Sequence, residues 1–107
     1  MAATLQHNIT TVLTQNLLTA GDKVNDVKSI TLANVDSTNE AKVDLFLNQG
    51  DNNYYILKEV SIPLGSTLVL GPEDNIAFNN SSSGFSLRIQ VDDGSTTAVA
   101  VDVIIKR

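Results

Sequence analysis

Few residues of this sequence have the types and neighbours that catalysis requires. His7 is the one histidine, and a general base needs a positioned partner and a nucleophile within hydrogen-bond reach. Because the polar segment around His7 offers neither, we interpret it as a solvated or docking histidine. No acid–base pair and no nucleophile can be assigned elsewhere, so the sequence predicts that the protein is not an enzyme.

Two acidic stretches contain oxygen ligands that a hard cation could use. Asp36, Asn39 and Glu40 lie close together, but they lack the spacing of a calcium-binding loop, and a turn with capping side chains is favoured. Asp92 and Asp93 are accounted for by a turn in the same way. The chain has no cysteine, which excludes thiolate metal sites and disulfides. We therefore predict no metal site and no cofactor.

The bulk composition narrows the class of partner. The chain has 107 residues, the size of one domain, and a formal net charge of −5. Its basic residues are scattered except for Lys106 and Arg107, so we predict no direct contact with nucleic acid. No apolar run approaches the roughly 20 residues of a membrane-spanning helix, and the N-terminus lacks a secretory signal, so no membrane partner is expected.

Residues 53–71 organise the chain as two strands joined by a corner. Polarity alternates along 54–62 as in a half-buried strand. Pro63 has no amide hydrogen, so this strand either ends there or lies at a sheet edge, and Gly65 can take the positive φ that the turn needs. The return strand then begins near Leu68. The predicted inward set of the first strand is Tyr54, Ile56, Val60 and Ile62.

The preceding strand, predicted over 41–47, shows the cleanest alternation of the sequence. A four-residue loop over 49–52 joins it to the strand at 54–62 and fixes the register, because the apolar faces must agree. The predicted cross-strand pairs are Leu47 with Tyr54, Leu45 with Ile56 and Ala41 with Val60.

The last two strands are predicted over 85–91 and 96–106 as a hairpin. A three-residue loop of Asp92, Asp93 and Gly94 keeps their apolar faces together and requires a positive φ at Gly94. The predicted pairs across this hairpin are Leu87 with Val99 and Phe85 with Val101.

Three further segments complete the count. Residues 1–20 are predicted as an extended N-terminal arm leading into a first strand near 10–19, with a short helix as the weaker alternative; residues 24–34 and 75–78 are predicted as strands. About eight short strands with a turn signal every ten residues or so indicate an all-β fold. We predict an antiparallel β-sandwich of the jelly-roll or Greek-key type, with residues 21–107 forming the sandwich domain.

Some apolar residues fall on the outward side of the predicted strands. Phe46, Tyr55 and Leu57 are either covered by the N-terminal arm or form a protein–protein contact patch, and the sequence leaves both interpretations open. His7 and Ile9 of the arm are the other candidate partner contacts.

The same segments resemble a family of small virion structural proteins of marine and cyanobacterial tailed phages. The resemblance covers residues 24–91, through the stretches 27–34, 41–47 and 54–70, and Glu73-Asp74-Asn75-Ile76 is similar to the step by which the family enters its next strand. The run Ile-Pro-Leu-Gly-Ser at 62–66 is its most specific part. The chain departs from the family in a shorter link between Leu70 and Asp74 and in its final strands. The resemblance implies a virion component built on a β-sandwich.

Together these observations predict a non-enzymatic protein that decorates or cements the capsid exterior and is made in the host cytoplasm. Its expected partners are other virion proteins, above all the major capsid protein, and its own copies. A small domain without disulfides gains stability from assembly, so a homo-oligomer is expected, as a trimer or by arm exchange. A head–tail connector, neck or tail component is the first alternative. A carbohydrate-binding attachment module is the second.

Overall fold

Among the residues that the structure describes, the regular structure consists of eight β-strands and one short 3-10 helix at Pro72–Asp74. The computed structural model describes residues 4–74 and 76–107. The strands are β1 (Thr4–Ile9), β2 (Gln15–Leu18), β3 (Ser29–Asn34), β4 (Ala41–Gln49), β5 (Asn52–Ile62), β6 (Thr67–Leu70), β7 (Ser86–Asp92) and β8 (Val101–Lys106).

The strands form two antiparallel sheets that stack as a sandwich. The first sheet has the order β1-β8-β3-β6 and the second has the order β2-β7-β4-β5. The chain thus pairs β1 with β8, β2 with β7, β3 with β6 and β4 with β5, which is the wrapping of a jelly roll. The predicted all-β sandwich is confirmed.

Alternate side chains of the central strands fill the space between the sheets. This is the period of two that extended backbone imposes, and each such Val, Leu or Ile contributes about 1.5–3 kcal/mol when fully buried. The residues without exposed surface on β7 and β8 are Leu87, Ile89, Val91, Val101, Val103 and Ile105.

The predicted register of β4 against β5 is wrong over most of its length. Leu47 does pair with Tyr54, but Leu45 pairs with Leu57 because β5 bulges there. A second bulge places both Lys58 and Glu59 opposite Asp44. Glu59 has a φ of 52°, and its amide donates to the Asp44 carboxylate at 2.7 Å. Beyond both bulges the pairs are Val43 with Val60 and Ala41 with Ile62.

The predicted hairpin of the last two strands is also wrong. β7 lies in the second sheet and β8 in the first, so residues 93–100 cross from one sheet to the other. The predicted positive φ at Gly94 is confirmed at 96°. Its cause is a turn in which the Asp93 amide donates to the Thr97 carbonyl at 3.1 Å. Apolar alternation on two successive strands is satisfied by a crossover as well as by a hairpin.

Other boundaries differ from the predicted ones. The strand expected over 24–34 begins at Ser29, and the strand expected over 75–78 is absent from 76–78, while Asn75 lies outside the described residues. Ile76 is nevertheless buried, and Phe78 packs against the core. In the N-terminal segment, β2 falls inside the predicted 10–19 strand, and the alternative helix is not formed. The described part of residues 1–20 contributes an edge strand to each sheet.

Candidate interaction surfaces

The jelly-roll wrapping divides the connections between two ends of the sandwich. The loops 10–14, 35–40, 63–66 and 93–100 lie at one end, which we call the apolar end. The loops 19–28, 50–51 and 71–85 lie at the other, which we call the polar end.

Exposed apolar side chains distinguish the apolar end. Leu13, Val35 and Leu64 are 68%, 50% and 49% exposed, and each belongs to a different loop of this end. A single exposed leucine is ordinary on a protein surface, whereas several exposed apolar side chains at one end of a sandwich are available to the same partner. The apolar end is therefore a candidate docking surface.

The backbone beneath Val35 is fixed. Its amide donates to the carbonyl of Ala100 at 3.0 Å, and the next residue, Asp36, accepts hydrogen bonds from the amides of Ala100 and Asn39 at 3.1 and 2.9 Å. The amide of Ala100, followed by those of Thr38 and Asn39, holds the pKa of Asp36 below its ordinary value, because these bonds favour the ionised carboxylate. Loops 35–40 and 93–100 are thus joined.

Asn34 is a buried polar residue that ties this end to the second sheet. Its side-chain amide donates to the carbonyls of Asn39 and Ile62, both at 3.0 Å, and its oxygen accepts from the Asp36 amide at 3.0 Å. Its own amide donates to the carbonyl of Ser66 at 3.0 Å. A buried amide is stable when its donors and acceptors are paired in this way.

The other two apolar side chains also sit on constrained turns. Leu64 lies between Pro63, which follows the last residue of β5, and Gly65, whose predicted positive φ is confirmed at 73°. The amide of Ser66 closes that turn on the Pro63 carbonyl at 3.0 Å. The amide of Leu13 donates to the Thr11 hydroxyl at 3.2 Å. The surface is therefore built on loops that are ordered by their own hydrogen bonds.

Asp93 orders the crossover loop of the same end. Its carboxylate accepts the hydroxyl and amide protons of Ser95 at 2.7 and 3.0 Å and the amide proton of Thr97 at 3.3 Å. The Ser95 hydroxyl is the main cause that lowers the pKa of Asp93. Asp93 is thus a turn residue, as the sequence predicted for the Asp92-Asp93 pair.

The polar end is held by Asn80, which has no exposed surface. Its side-chain oxygen accepts from the Val24 amide at 3.0 Å, and its nitrogen donates to the carbonyls of Thr19 and Phe85 at 3.1 and 2.9 Å. Its backbone carbonyl accepts the amide protons of Gly21 and Lys23. One asparagine therefore joins the loop that follows β2 to the loop that precedes β7.

Phe46 lies on the outer face of the second sheet, where the sequence predicted it, but only 4% of it is exposed. It does not belong to the core cluster. Neighbouring strands place Arg88 and Tyr55 on either side of it, and the rings of Phe46 and Tyr55 are 5.1 Å apart. The Arg88 guanidinium donates to the Asn16 side chain of β2 at 2.7 Å. The described part of the N-terminal segment thus contributes to this face.

Tyr55, which lies beside Phe46 on this face, is accessible to a partner. It is 46% exposed, and the Lys58 ammonium lies 4.6 Å from its ring centre in cation–π geometry. Leu57, which was predicted to point outward, packs against the core because the first bulge of β5 reverses its face. Of the predicted contact residues, the structure brings together Phe46 and Tyr55.

The two candidates in the N-terminal segment lie on β1, in the first sheet. Ile9 is buried in the core. His7 is half-buried and borders a shallow concavity of about 440 Å³, together with Gln6, Asn8 and residues of β8. Leu13, Val35 and Leu64 were missed by the sequence analysis, although an apolar residue inside a polar turn segment is a usable signal.

A second concavity of about 250 Å³ is bordered by Lys42, Asp44, Glu59, Gln90, Asp92 and Gly94. Within residues 4–74 and 76–107, no three His, Cys, Asp or Glu side chains are grouped to hold a metal ion. The same residues include no helix with the length and apolarity that crossing a membrane requires.

Comparisons with known proteins give structural likeness without a family. No family model matches the sequence and no curated protein matches it, so the resemblance to phage virion proteins stays a prediction. The Yersinia pseudotuberculosis-derived mitogen has a similar structure, with a TM-score of 0.50 and 13% identity over 98% of this chain and 84% of the mitogen chain. At that identity the likeness shows the fold alone.

Chains of infectious bursal disease virus particles are also similar. The VP2 chain of the subviral particle gives a TM-score of 0.44 at 12% identity, over 99% of this chain and 32% of the other. A chain of the T13 viral particle gives 0.47 at 10% identity, over 99% and 30%. The present chain thus spans about a third of the length of those viral chains.

Proposed function

We propose that this protein is a non-enzymatic virion structural protein that decorates a phage capsid by seating its apolar end on the major capsid protein. The observation that carries the proposal is the placement of Leu13, Val35 and Leu64 on three hydrogen-bonded loops at one end of a jelly roll. The resemblance of residues 24–91 to phage virion proteins supports the same class.

The ordered backbone of these loops favours docking. Binding costs less conformational entropy when the contacting loops are already fixed, and burial of the exposed apolar area supplies the driving force. At the apolar end, Val35 is held by Ala100, and Leu64 is held in a closed turn. A rigid apolar contact of this kind suits a decoration protein, which must recognise one repeated surface.

The charge of the protein supports a position on the outside of the particle. The net charge is −5, and packaged nucleic acid is a dense array of phosphates that an acidic surface does not bind. We therefore place the protein on the capsid exterior, without direct contact with nucleic acid.

Self-association accompanies capsid binding in this proposal. A small domain without disulfides gains stability from assembly, for which a trimer is the expected order, and mass measurement of the purified protein tests that order directly. The edge of the first sheet at β1 instead favours a two-fold pair.

The deciding experiment is co-sedimentation with capsids of the same phage that lack this protein. A variant carrying Leu13→Ser, Val35→Thr and Leu64→Ser should bind at least about tenfold more weakly, because full burial of each such side chain is worth about 1.5–3 kcal/mol. The matched control is Val69→Thr, which changes a side chain that is 57% exposed on β6, away from this end. Unchanged binding by the triple variant would place the docking surface elsewhere.

Binding of the purified protein to neck or tail parts, and never to capsids, would establish the connector or tail alternative instead. The carbohydrate-binding alternative has less structural support. Its stacking platform would need neighbouring exposed aromatic side chains, but Tyr54 packs on Phe85 and Tyr55 packs on Phe46, so the two rings do not share a face. Specific binding on a glycan array would restore that alternative.

A further inference from the structure

The four edge strands of the sandwich differ in how they are protected against pairing with another chain. An edge strand exposes unpaired amide and carbonyl groups, and proteins block such edges with bulges, charges, proline or short length. β5 has two bulges, the charged pair Lys58 and Glu59, and Pro63 directly after its end. β2 and β6 each have four residues, and the register of β2 shifts between Asn16 and Leu18.

The described residues of β1 contain no bulge, no charged residue and no proline, and the strand is longer than β2 and β6. Its six residues pair with β8 in an unbroken register from Thr4 to Ile9. The other side of β1 receives no backbone hydrogen bond from residues 4–74 or 76–107. It therefore offers a regular, unpaired edge of the kind to which an added strand binds.

The charge of β1 indicates which strand would be added. A chain with a net charge of −5 repels its own copies over most of its surface, yet β1 contains no Asp, Glu, Lys or Arg. Two identical uncharged strands can pair antiparallel about a two-fold axis, since such an interface is self-complementary. A second copy of this chain is therefore the occupant that the edge fits best.

We infer that β1 pairs antiparallel with β1 of a second copy, which joins the two first sheets into one continuous sheet of eight strands. The two-fold axis must stand perpendicular to the sheet, so that outward side chains of one copy face outward side chains of the other. This condition leaves two central registers, with either Gln6 or His7 facing its own counterpart.

The register centred on Gln6 also places opposite charges of the two β8 strands in the same rows, but about three strand spacings separate them, so the side chain on the axis decides the register. In that register Thr4 faces Asn8 of the second copy. Lys106 lies in the row of Thr4, and Asp102 lies in the row of Asn8, where it accepts a hydrogen bond from the Asn8 side chain at 2.6 Å. In each line of paired residues that crosses from one copy to the other, Lys106 of one copy is therefore in register with Asp102 of the other, and their charges have opposite signs. The two-fold axis repeats this arrangement on its other side.

The side chain on the axis is suited to pairing with itself. The amide of Gln6 is both donor and acceptor, and Gln6 is exposed on the outer face of β1. The alternative register would place two His7 imidazoles opposite each other and would align Gln6 with Asn8, so that Lys106 and Asp102 of the two copies would not share a row.

Sedimentation of the purified protein over a wide concentration range tests the inference and does not involve capsids. We expect a monomer–dimer equilibrium for the wild-type protein. Gln6→Lys and Gln6→Glu should each weaken the dimer by about tenfold or more, since each places two like charges directly opposite each other. Mixing these two variants should restore the dimer, which a folding defect would not allow. The control Val69→Lys adds the same charge to β6, the opposite edge of the same sheet, and should leave the dimer intact.

Several results would overturn the inference. A wild-type protein that remains monomeric or forms a trimer excludes the two-fold edge, and so does an undiminished dimer in Gln6→Lys. Failure of the mixed variants to associate shows that the charges do not face each other. Capsid binding is measured separately, so loss of the proposed virion role and loss of this dimer are distinguishable outcomes.

Discussion

The two ends of the sandwich use the same device to fix their loops but present opposite surfaces. Asn34 at the apolar end and Asn80 at the polar end are both buried, and each side chain makes three hydrogen bonds to backbone groups. Only the apolar end, among the loops described, combines this rigidity with the exposed side chains of Leu13, Val35 and Leu64. Under the proposed function, ordered loops stabilise the fold at both ends and, at the apolar end, also present the docking surface.

A buried asparagine suits this task because its amide joins donors and acceptors of different loops at once. Asn80 links residues 19–24 with residue 85. Asn34 links its own loop with the end of β5 at Ile62. In this jelly roll, where consecutive strands other than β4 and β5 lie in different sheets, such links replace the hairpin turns that would otherwise fix the loops.

Replacing the two asparagines by alanine is the sharpest test of this comparison. Asn80→Ala should lower the free energy of unfolding by about 3 kcal/mol, and Asn34→Ala by about 2–3 kcal/mol, because each leaves buried backbone groups unpaired. Urea denaturation measures both free-energy changes. The variants should differ in function: at a temperature where both are folded, Asn34→Ala should weaken capsid binding, and Asn80→Ala should not. Equal binding by both variants would mean that loop rigidity plays no part in docking.

Substituting glycine by alanine compares the turns of the two ends, with smaller expected changes in the free energy of unfolding. Gly94 of the apolar end has a φ of 96°, beyond the left-handed region near +57°, and Gly50 of the polar end has a φ of 61°. Gly94→Ala should cost about 1–2 kcal/mol and Gly50→Ala about 1 kcal/mol. Crowding does not explain the difference, since the new Cβ at 94 lies 3.4 Å from the Lys42 side chain. Equal costs in thermal unfolding would contradict this account.

The sequence predicted the sandwich because alternation survives on its central strands, where one face must be buried. The register of β5 was not predictable from that pattern. At its second bulge the Asp44 carboxylate accepts the amide proton of Glu59, and a side chain on a neighbouring strand leaves no mark in the alternation. The crossover after Asp92 was missed for a related reason: turn chemistry at Gly94 reports a positive φ but not the sheet to which the chain continues.

The candidate surface was predicted less well than the fold. Outward positions were assigned from alternation, which identified Tyr55 correctly but reversed Leu57 after the bulge. Leu13, Val35 and Leu64 lie in loops where alternation gives no information. Their grouping at one end follows from the jelly-roll wrapping, and that wrapping is visible once the strand order is known.

Acid should affect the two ends differently, and this is the smallest of the expected effects. The pKa of Asp36 is held below its ordinary value of 3.8 by the amides of Ala100, Thr38 and Asn39. A carboxyl group with a lowered pKa stabilises the folded state above its ordinary pKa, and this contribution is lost as the pH falls through the lowered value. Asp36→Asn should therefore reduce the melting temperature at neutral pH, and the gap to wild type should begin to narrow below about pH 3.8 and close as the pH falls through the lowered pKa.

Two variants serve as controls for this pH dependence. Ser37→Ala changes an exposed, uncharged neighbour of Asp36, so its difference from wild type should be independent of pH. The Asn80 side chain does not titrate, and the cost of Asn80→Ala at the polar end should likewise stay constant on acidification. If the Asp36→Asn gap is as large in acid as at neutral pH, the carboxylate charge does not hold loops 35–40 and 93–100 together. The apolar end would then owe its order to Asn34 in the way that the polar end owes its order to Asn80.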